Sequence, residues 1–226
     1  MVKNHLKRLA SPRTWRIERK SNTFVTRPLP GPHNLATSVP FTVFFKDMAK
    51  LGDTTRDAKY VLFNKTVLIN GSRLKDHRRP IGFMDVVTIK DIDKHYRILI
   101  NAQGKLISKE VSKDETDAIL KVKDKTLVKG GKVQLNFMNG SNLLVDKDEY
   151  KTGDSIIIKE KKIQHHFKLA KGAFIYLMGG KHKGNQGVIE DIKDEKIIFK
   201  NKDNEMIETM KRYAFVIGDK KPSIMI

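Results

Sequence analysis

The sequence predicts an α+β chain that is mostly β, and three observations predict it. From Lys94 onward, short runs of β-branched and aromatic residues recur with Gly or Asn-Gly between most of them, the texture of small barrels or sandwiches. Helical periodicity is concentrated between Pro40 and Leu62, with a weaker stretch at 114–123. Residues 1–38 show no periodic apolar face and contain Pro12, Pro28, Pro30 and Pro32.

That opening segment carries Lys3, Lys7, Arg8, Arg13, Arg16, Arg19, Lys20 and Arg27 against one acid, Glu18, and cannot fold a core of its own. Leu6, Leu9 and Trp15 are interleaved with the cations. An inert tail has little use for large apolar anchors, so residues 1–38 are expected to form an extended basic arm that orders on RNA, with Trp15 among its contacts.

Residues 39–93 read as a small α/β module. Pro40 opens a short helix whose apolar run, Phe41, Val43, Phe44, Phe45, Met48 and Leu51, closes at Gly52. Asp53 or Thr54 caps a second helix, with Ala58, Val61 and Leu62 on its buried side and Arg56 and Lys59 pointing outward. Thr66 to Ile69 is a strand, Asn70-Gly71 a turn, Arg73 to Arg79 a basic loop, and Asp85 to Ile89 a second strand.

Residues 94–170 are expected to form a central β-rich domain, 171–218 a second small barrel and 219–226 a short tail. His95 to Ile100 and Lys105 to Val111 flank Asn101-Ala102-Gln103-Gly104 as a hairpin. Asp114 to Lys123 is expected to be a helix capped by Asp114, with Ala118, Ile119 and Val122 buried. Further strands are expected at Val133 to Phe137, Asn142 to Val145, Ser155 to Lys159, Phe174 to Met178, Val188-Ile189, Lys196 to Lys200, Glu205 to Met210 and Phe215 to Ile217.

Forty-five Lys and Arg against 26 Asp and Glu give 226 residues a formal net charge of +19. A polycation of this size attracts nucleic acid or anionic lipid and gains from released counterions. No run of ~20 apolar residues could span a bilayer, and no long amphipathic helix carries a basic face for a membrane surface. Met1 to Ala10 alternates basic and apolar residues, unlike a secretory signal, so a cytoplasmic protein is expected. Cysteine is absent, which excludes disulfides, thiol nucleophiles and Cys-ligated metal. Aromatics are 8% with a single Trp, so phosphate contact is expected to dominate over base stacking.

Arg73, Lys75, Arg78 and Arg79 repel one another within seven residues unless an anion lies between them. A solvated loop fits that charge equally well. Arg56 and Lys59, at i and i+3 of the preceding helix, tilt the balance, because two elements then present cations to one surface. In the stretch 171–189, Gly179, Gly180, Gly184 and Gly187 permit positive φ or close backbone approach, while Lys181, His182 and Lys183 put charge at the loop tip. The spacing of a phosphate-binding ATPase loop is missing there. His165 and His166 are adjacent and face apart on a strand, and no paired-His spacing exists elsewhere, so no metal is expected. No catalytic residues, cofactor or small-molecule substrate are indicated.

Three stretches, in the same order, resemble the archaeal and eukaryotic small-subunit ribosomal protein S4e family: HLKRLASPRTW with RPLPGPHNL, then RDAKYVLFNKTVLINGSRLKDHRRPIGFMDVVTI, then FIYLMGGKHKGNQGVI with YAFVIGDKKP. The middle stretch is similar to a small RNA-binding module also found in tRNA synthetases and pseudouridine synthases, and the last to a KOW motif. Alone, the middle stretch would suit an RNA-modifying enzyme that uses it for delivery, and the last a transcription factor. Together they imply a structural protein of the small ribosomal subunit that binds small-subunit rRNA beside other ribosomal proteins, without enzymatic activity. Arg56, Lys59, Asn70, Gly71, Arg73, Asp76, Pro80, Gly82, Asp85 and Val86 fall on the module's pattern, and Gly179, Gly180, Gly184 and Gly187 on that of the KOW loop. The resemblance implies that the cations and Asn70 make contacts, whereas Gly71, Pro80, Gly82, Asp85 and the loop glycines set turns. It also implies a longer basic tail than the one after Lys220-Lys221.

Overall fold

The computed structural model describes residues 5–159, 162–201 and 204–224, and these are mostly β with few helices. The chain divides into two compact units, Met1–Leu99 with Lys105–Thr116, and Ile100–Gly104 with Asp117–Ile226.

In the first unit, β1 (Leu6–Lys7) pairs with β2 (Phe24–Val25), and β3 (Ser38–Pro40) with β6 (Pro80–Gly82). Pro40, at φ −68°, precedes the first helical residue of α1 (Phe41–Val43), which runs on through a π turn at Phe44–Met48. Thr54 caps α2 (Thr55–Asn64): its hydroxyl accepts from Asp57 N at 3.1 Å, while the Asp57 carboxylate accepts from Thr54 N at 2.9 Å. Ala58 and Leu62 face inward, toward a core that includes Phe41, Phe44, Leu74 and Ile98.

Asn70 at φ 48° and Gly71 at φ 80° take consecutive left-handed conformations, the geometry that joins β4 (Val67–Ile69) tightly to β5 (Ser72–Arg73). These strands belong to a five-stranded sheet of order β5-β4-β7-β8-β9, completed by β7 (Val86–Ile89), β8 (Lys94–Ile100) and β9 (Leu106–Val111). The division expected at residue 94 therefore falls inside a continuous sheet. A single turn, Lys90–Ile92 with Asp93 at φ 47°, returns the chain at once to pair Ile89 with Lys94 and Val86 with Arg97.

Residues 5–38 are packed on this unit rather than extended from it. Trp15 is 2% exposed and its Nε1 donates to Ser38 O at 2.7 Å. Arg8 is buried, donates to Glu18 O at 2.7 Å and lies 3.8 Å from Asp47. Arg19 donates to the carbonyls of Ser11 (3.0 Å) and Pro12 (2.8 Å). The absence of periodicity shows that the segment has no core of its own. It does not show that the segment stays free, because anchors seated in a neighbouring core offset the ordering entropy equally well.

The second unit holds two five-stranded antiparallel sheets. The first, ordered β12-β11-β10-β13-β14, consists of β10 (Ala118–Leu127), β11 (Val133–Phe137), β12 (Asn142–Val145), β13 (Ser155–Lys159) and β14 (Lys162–Phe167). It buries Val122, Val133, Leu135, Phe137 and Ile156. The second, ordered β18-β17-β16-β15-β19, consists of β15 (Phe174–Leu177), β16 (Gln186–Lys193), β17 (Lys196–Asn201), β18 (Met206–Met210) and β19 (Ala214–Gly218), around Ile175, Leu177, Ile197, Phe199 and Val216.

The helix expected over 114–123 is a single 3-10 turn, Lys113–Glu115, followed by β10. Ile119 and Lys121 are both buried at strand spacing. Lys121 hides that alternation in the sequence, since a lysine reads as exposed. Its Nζ donates to the carbonyls of Arg212 at 2.9 Å and Ala214 at 2.5 Å, which is how a buried ammonium is accommodated. Strand β14 also lacks a clear sequence signal. On it His165 is exposed and His166 pairs with Asp154 at 2.8 Å, so the two rings are separated as adjacent strand residues must be.

Candidate nucleic-acid interface

Arg56 and Lys59 are exposed on α2, and Arg73 and Lys75 are exposed on the segment that follows the Asn70-Gly71 turn; Arg79 is half-buried. Burial is the main cause that holds the His77 pKa below the ordinary histidine value, opposed by Asp76, and the nearby charges of Lys59 and Arg78 act in the same direction as burial. A cation from the helix thus sits within electrostatic reach of the loop.

Arg78 is the exception among the loop cations. Asp76 accepts its backbone N–H at 2.8 Å and faces its guanidinium at 3.3 Å, which folds the side chain back on its own loop and partly neutralises it. Burial would raise the Asp76 carboxyl, but the hydrogen bonds from Arg78 and the adjacent charges outweigh it and hold the carboxyl below its ordinary value.

Asn70, expected as an RNA contact, has both ends of its amide engaged inside the fold. Its Nδ2 donates to Asp85 Oδ1 at 2.7 Å, and its Oδ1 accepts from Val86 N at 2.9 Å. Asp85, 3% exposed, also accepts from Gly82 N at 2.8 Å and shares a 2.8 Å hydrogen bond with His33 Nε2. This node ties the turn, the β6–β7 corner and the amino-terminal segment together. The His33 ring occupies the space a Cβ at Gly82 would need, and Pro80 is buried. His33 carried no sequence signal beyond its place in the RPLPGPHNL stretch.

In the amino-terminal segment Lys7, Arg13, Arg16, Lys20 and Arg27 are exposed, whereas Arg8 and Trp15 are buried and Arg19 is spent on carbonyls. Within the unit those three side chains act as anchors: Trp15 reaches Ser38 O, Arg8 reaches Glu18 O, and Arg19 reaches the carbonyls of Ser11 and Pro12. Lys3 lies outside the described residues. Arg27 and Arg78 line one cleft of about 640 Å³ together with Phe24 and Leu35.

The glycine-rich loop joins β15 to β16. Gly180 and Gly184 have φ near 82°, and Gly184 N donates to Leu177 O at 2.7 Å. The backbone of Asn101 and Ala102 lies about 2.5 Å from where a Cβ at 184 would stand. The ring of Tyr213 lies against Gly179, and the Lys200 carbonyl against Gly187. Each glycine therefore admits a close neighbour. Lys181 is exposed, but His182 and Lys183 are half-buried, and the Lys183 chain lies over Gly104. Of the expected tip cations, one stands clear. Among the described residues no His, Asp and Glu cluster could hold a metal ion, and no helix is long and apolar enough to cross a membrane.

Comparison with known proteins bears on this surface. The family described as Ribosomal family S4e matches residues 92–164, and the RS4NT (NUC023) domain matches residues 2–36. The small ribosomal subunit protein eS4 of Methanococcus maripaludis is 37% identical over 98% of this chain and 97% of its own. That of Methanosphaera stadtmanae is 38% identical over 99% and 96%. The crystal structure of the 30S ribosomal protein S4e from Thermoplasma acidophilum superposes with a TM-score of 0.70 at 29% identity, covering 83% of this chain and 98% of that one. With identity spread over nearly the whole length of both sequences and the fold shared, the chain belongs to the ribosomal family S4e.

Proposed function

We propose that the chain is a structural constituent of the small ribosomal subunit and binds small-subunit rRNA by gripping phosphates rather than by transforming a substrate. The observation that carries this reading is the set of exposed cations on α2, Arg56 and Lys59, and on the segment after the Asn70-Gly71 turn, Arg73 and Lys75, in a chain of net charge +19. Residues 39–93, with the strands that extend their sheet, act as the RNA-binding module. The sheet of β15–β19 acts as a KOW-type barrel, with Lys181 at its contact. Lys7, Arg13, Arg16, Lys20 and Arg27 give the amino-terminal segment its contacts. The name of the relatives, small ribosomal subunit protein eS4, supports a place in the subunit, and a cytoplasmic site beside other ribosomal proteins and a non-enzymatic role go with that reading.

Gradient sedimentation of gently lysed cells tests the proposal. The protein is expected to travel with the small subunit at low salt and to come off as salt rises, since six to ten phosphate contacts correspond to about 10³-fold or more in affinity between 50 and 200 mM on a DNA scale. Free protein at low salt overturns it.

A further inference from the structure

The outer face of α2 is not purely cationic. Arg56, Lys59, Tyr60 and Phe63 fall at i, i+3, i+4 and i+7, which places them on one stripe of the helix. Tyr60 is 64% exposed and Phe63 is 80% exposed, while Ala58 and Leu62 on the opposite side are buried. A lone apolar side chain in water is ordinary. Two large rings on one exposed face, interleaved with two cations, form a pattern with a chemistry. A protein partner that covered the rings would also have to desolvate Arg56 and Lys59. A single-stranded stretch of RNA supplies both complements at once, flat π faces for the rings and phosphates for the cations.

We propose that this face takes an unpaired segment of rRNA, with a base stacking on Tyr60 or Phe63 while the flanking phosphates meet Arg56 and Lys59. The proposal rests on the rRNA-binding reading above and deepens it: the α2 surface reads an exposed base as well as a backbone. Stacking is set by ring area and planarity and releases no counterions, so its loss leaves a different signature from the loss of a cation.

The test is equilibrium binding of the full chain to naked small-subunit rRNA over a series of salt concentrations. Tyr60→Ala and Phe63→Ala should together weaken binding about five-fold to a hundred-fold, with an unchanged slope of log affinity against log salt. Arg56→Ala with Lys59→Ala should instead flatten that slope by about two. Phe63→Trp should keep the affinity, whereas Phe63→Leu, which is apolar but not planar, should not. Both rings are solvent-exposed, and far-UV circular dichroism checks that each variant folds. If the alanine pair binds as wild type while the cation pair still loses affinity, stacking is refuted and the rRNA reading survives. If Phe63→Leu matches Phe63→Trp, the face takes a nonplanar apolar partner such as a neighbouring protein, and the proposal falls. If the wild-type chain does not bind at low salt, both readings fail.

Discussion

Replacing Asp85 with alanine should unfold the first unit at much lower denaturant. The carboxylate accepts from Asn70 Nδ2 and Gly82 N and is bonded to His33 Nε2, at 2.7–2.8 Å, and it is 3% exposed. A hydrogen bond to a charged group contributes about 1.5–3 kcal/mol, but the three share one acceptor and do not add. Removing the buried acceptor that they share costs about 3–4 kcal/mol, because the donors left behind keep their desolvation and lose their partner. With a urea dependence of about 1.5–2 kcal/mol per molar, the midpoint should fall by about 2 M. Trp15 is the single tryptophan and is buried in the same unit, so its fluorescence reports this transition directly. Asp85→Asn, which keeps one acceptor oxygen, should fall between wild type and Asp85→Ala. A midpoint for Asp85→Ala within about 0.5 M of wild type, at unchanged slope, would show that the node is not what holds the turn and the amino-terminal segment in place.

Lys121 makes stability depend on pH. Burial pushes its pKa down to about 8, while the unfolded chain holds that proton to about 10.5. The unfolded state binds more protons between those values, so stability is gained as pH rises and lost as pH falls through 8, by about 2.5 kcal/mol between pH 7 and 10. Urea midpoints across that range should rise relative to those of Lys121→Met, and parallel curves would refute the assignment. Gly187→Ala drives a Cβ into the Lys200 carbonyl of the paired strand and should cost about 1–3 kcal/mol, read as a lowered melting temperature; unchanged melting would mean that the strand gives way freely. Lys59→Ala with Arg73→Ala should flatten the salt dependence of rRNA binding by about two without changing the circular dichroism spectrum; an unchanged slope would place the phosphate contacts elsewhere.

What the amino-acid sequence determined by itself is what short-range physics encodes. A cap at Asp53 or Thr54, the turn at Asn70-Gly71, the hairpin at 101–104 and most later strands follow from local propensity and period, and the fold chose Thr54. Net charge and absent cysteine narrowed the partner and excluded whole classes of chemistry. Which cations are free was decided only by tertiary structure. Arg8, Arg19 and Arg78 look the same in sequence as Arg16, Arg73 and Lys75, yet the former are bound to carbonyls or carboxylates. The same holds for Asn70, absorbed by Asp85, for Lys121, whose burial disguised a strand as a helix, and for Tyr60 and Phe63, whose exposure no residue type announces. Charge and periodicity belong to the residue and its neighbours in the chain, whereas exposure and pairing depend on which groups folding sets alongside, from the Asp76 carboxylate beside Arg78 to the Ala214 carbonyl beside Lys121.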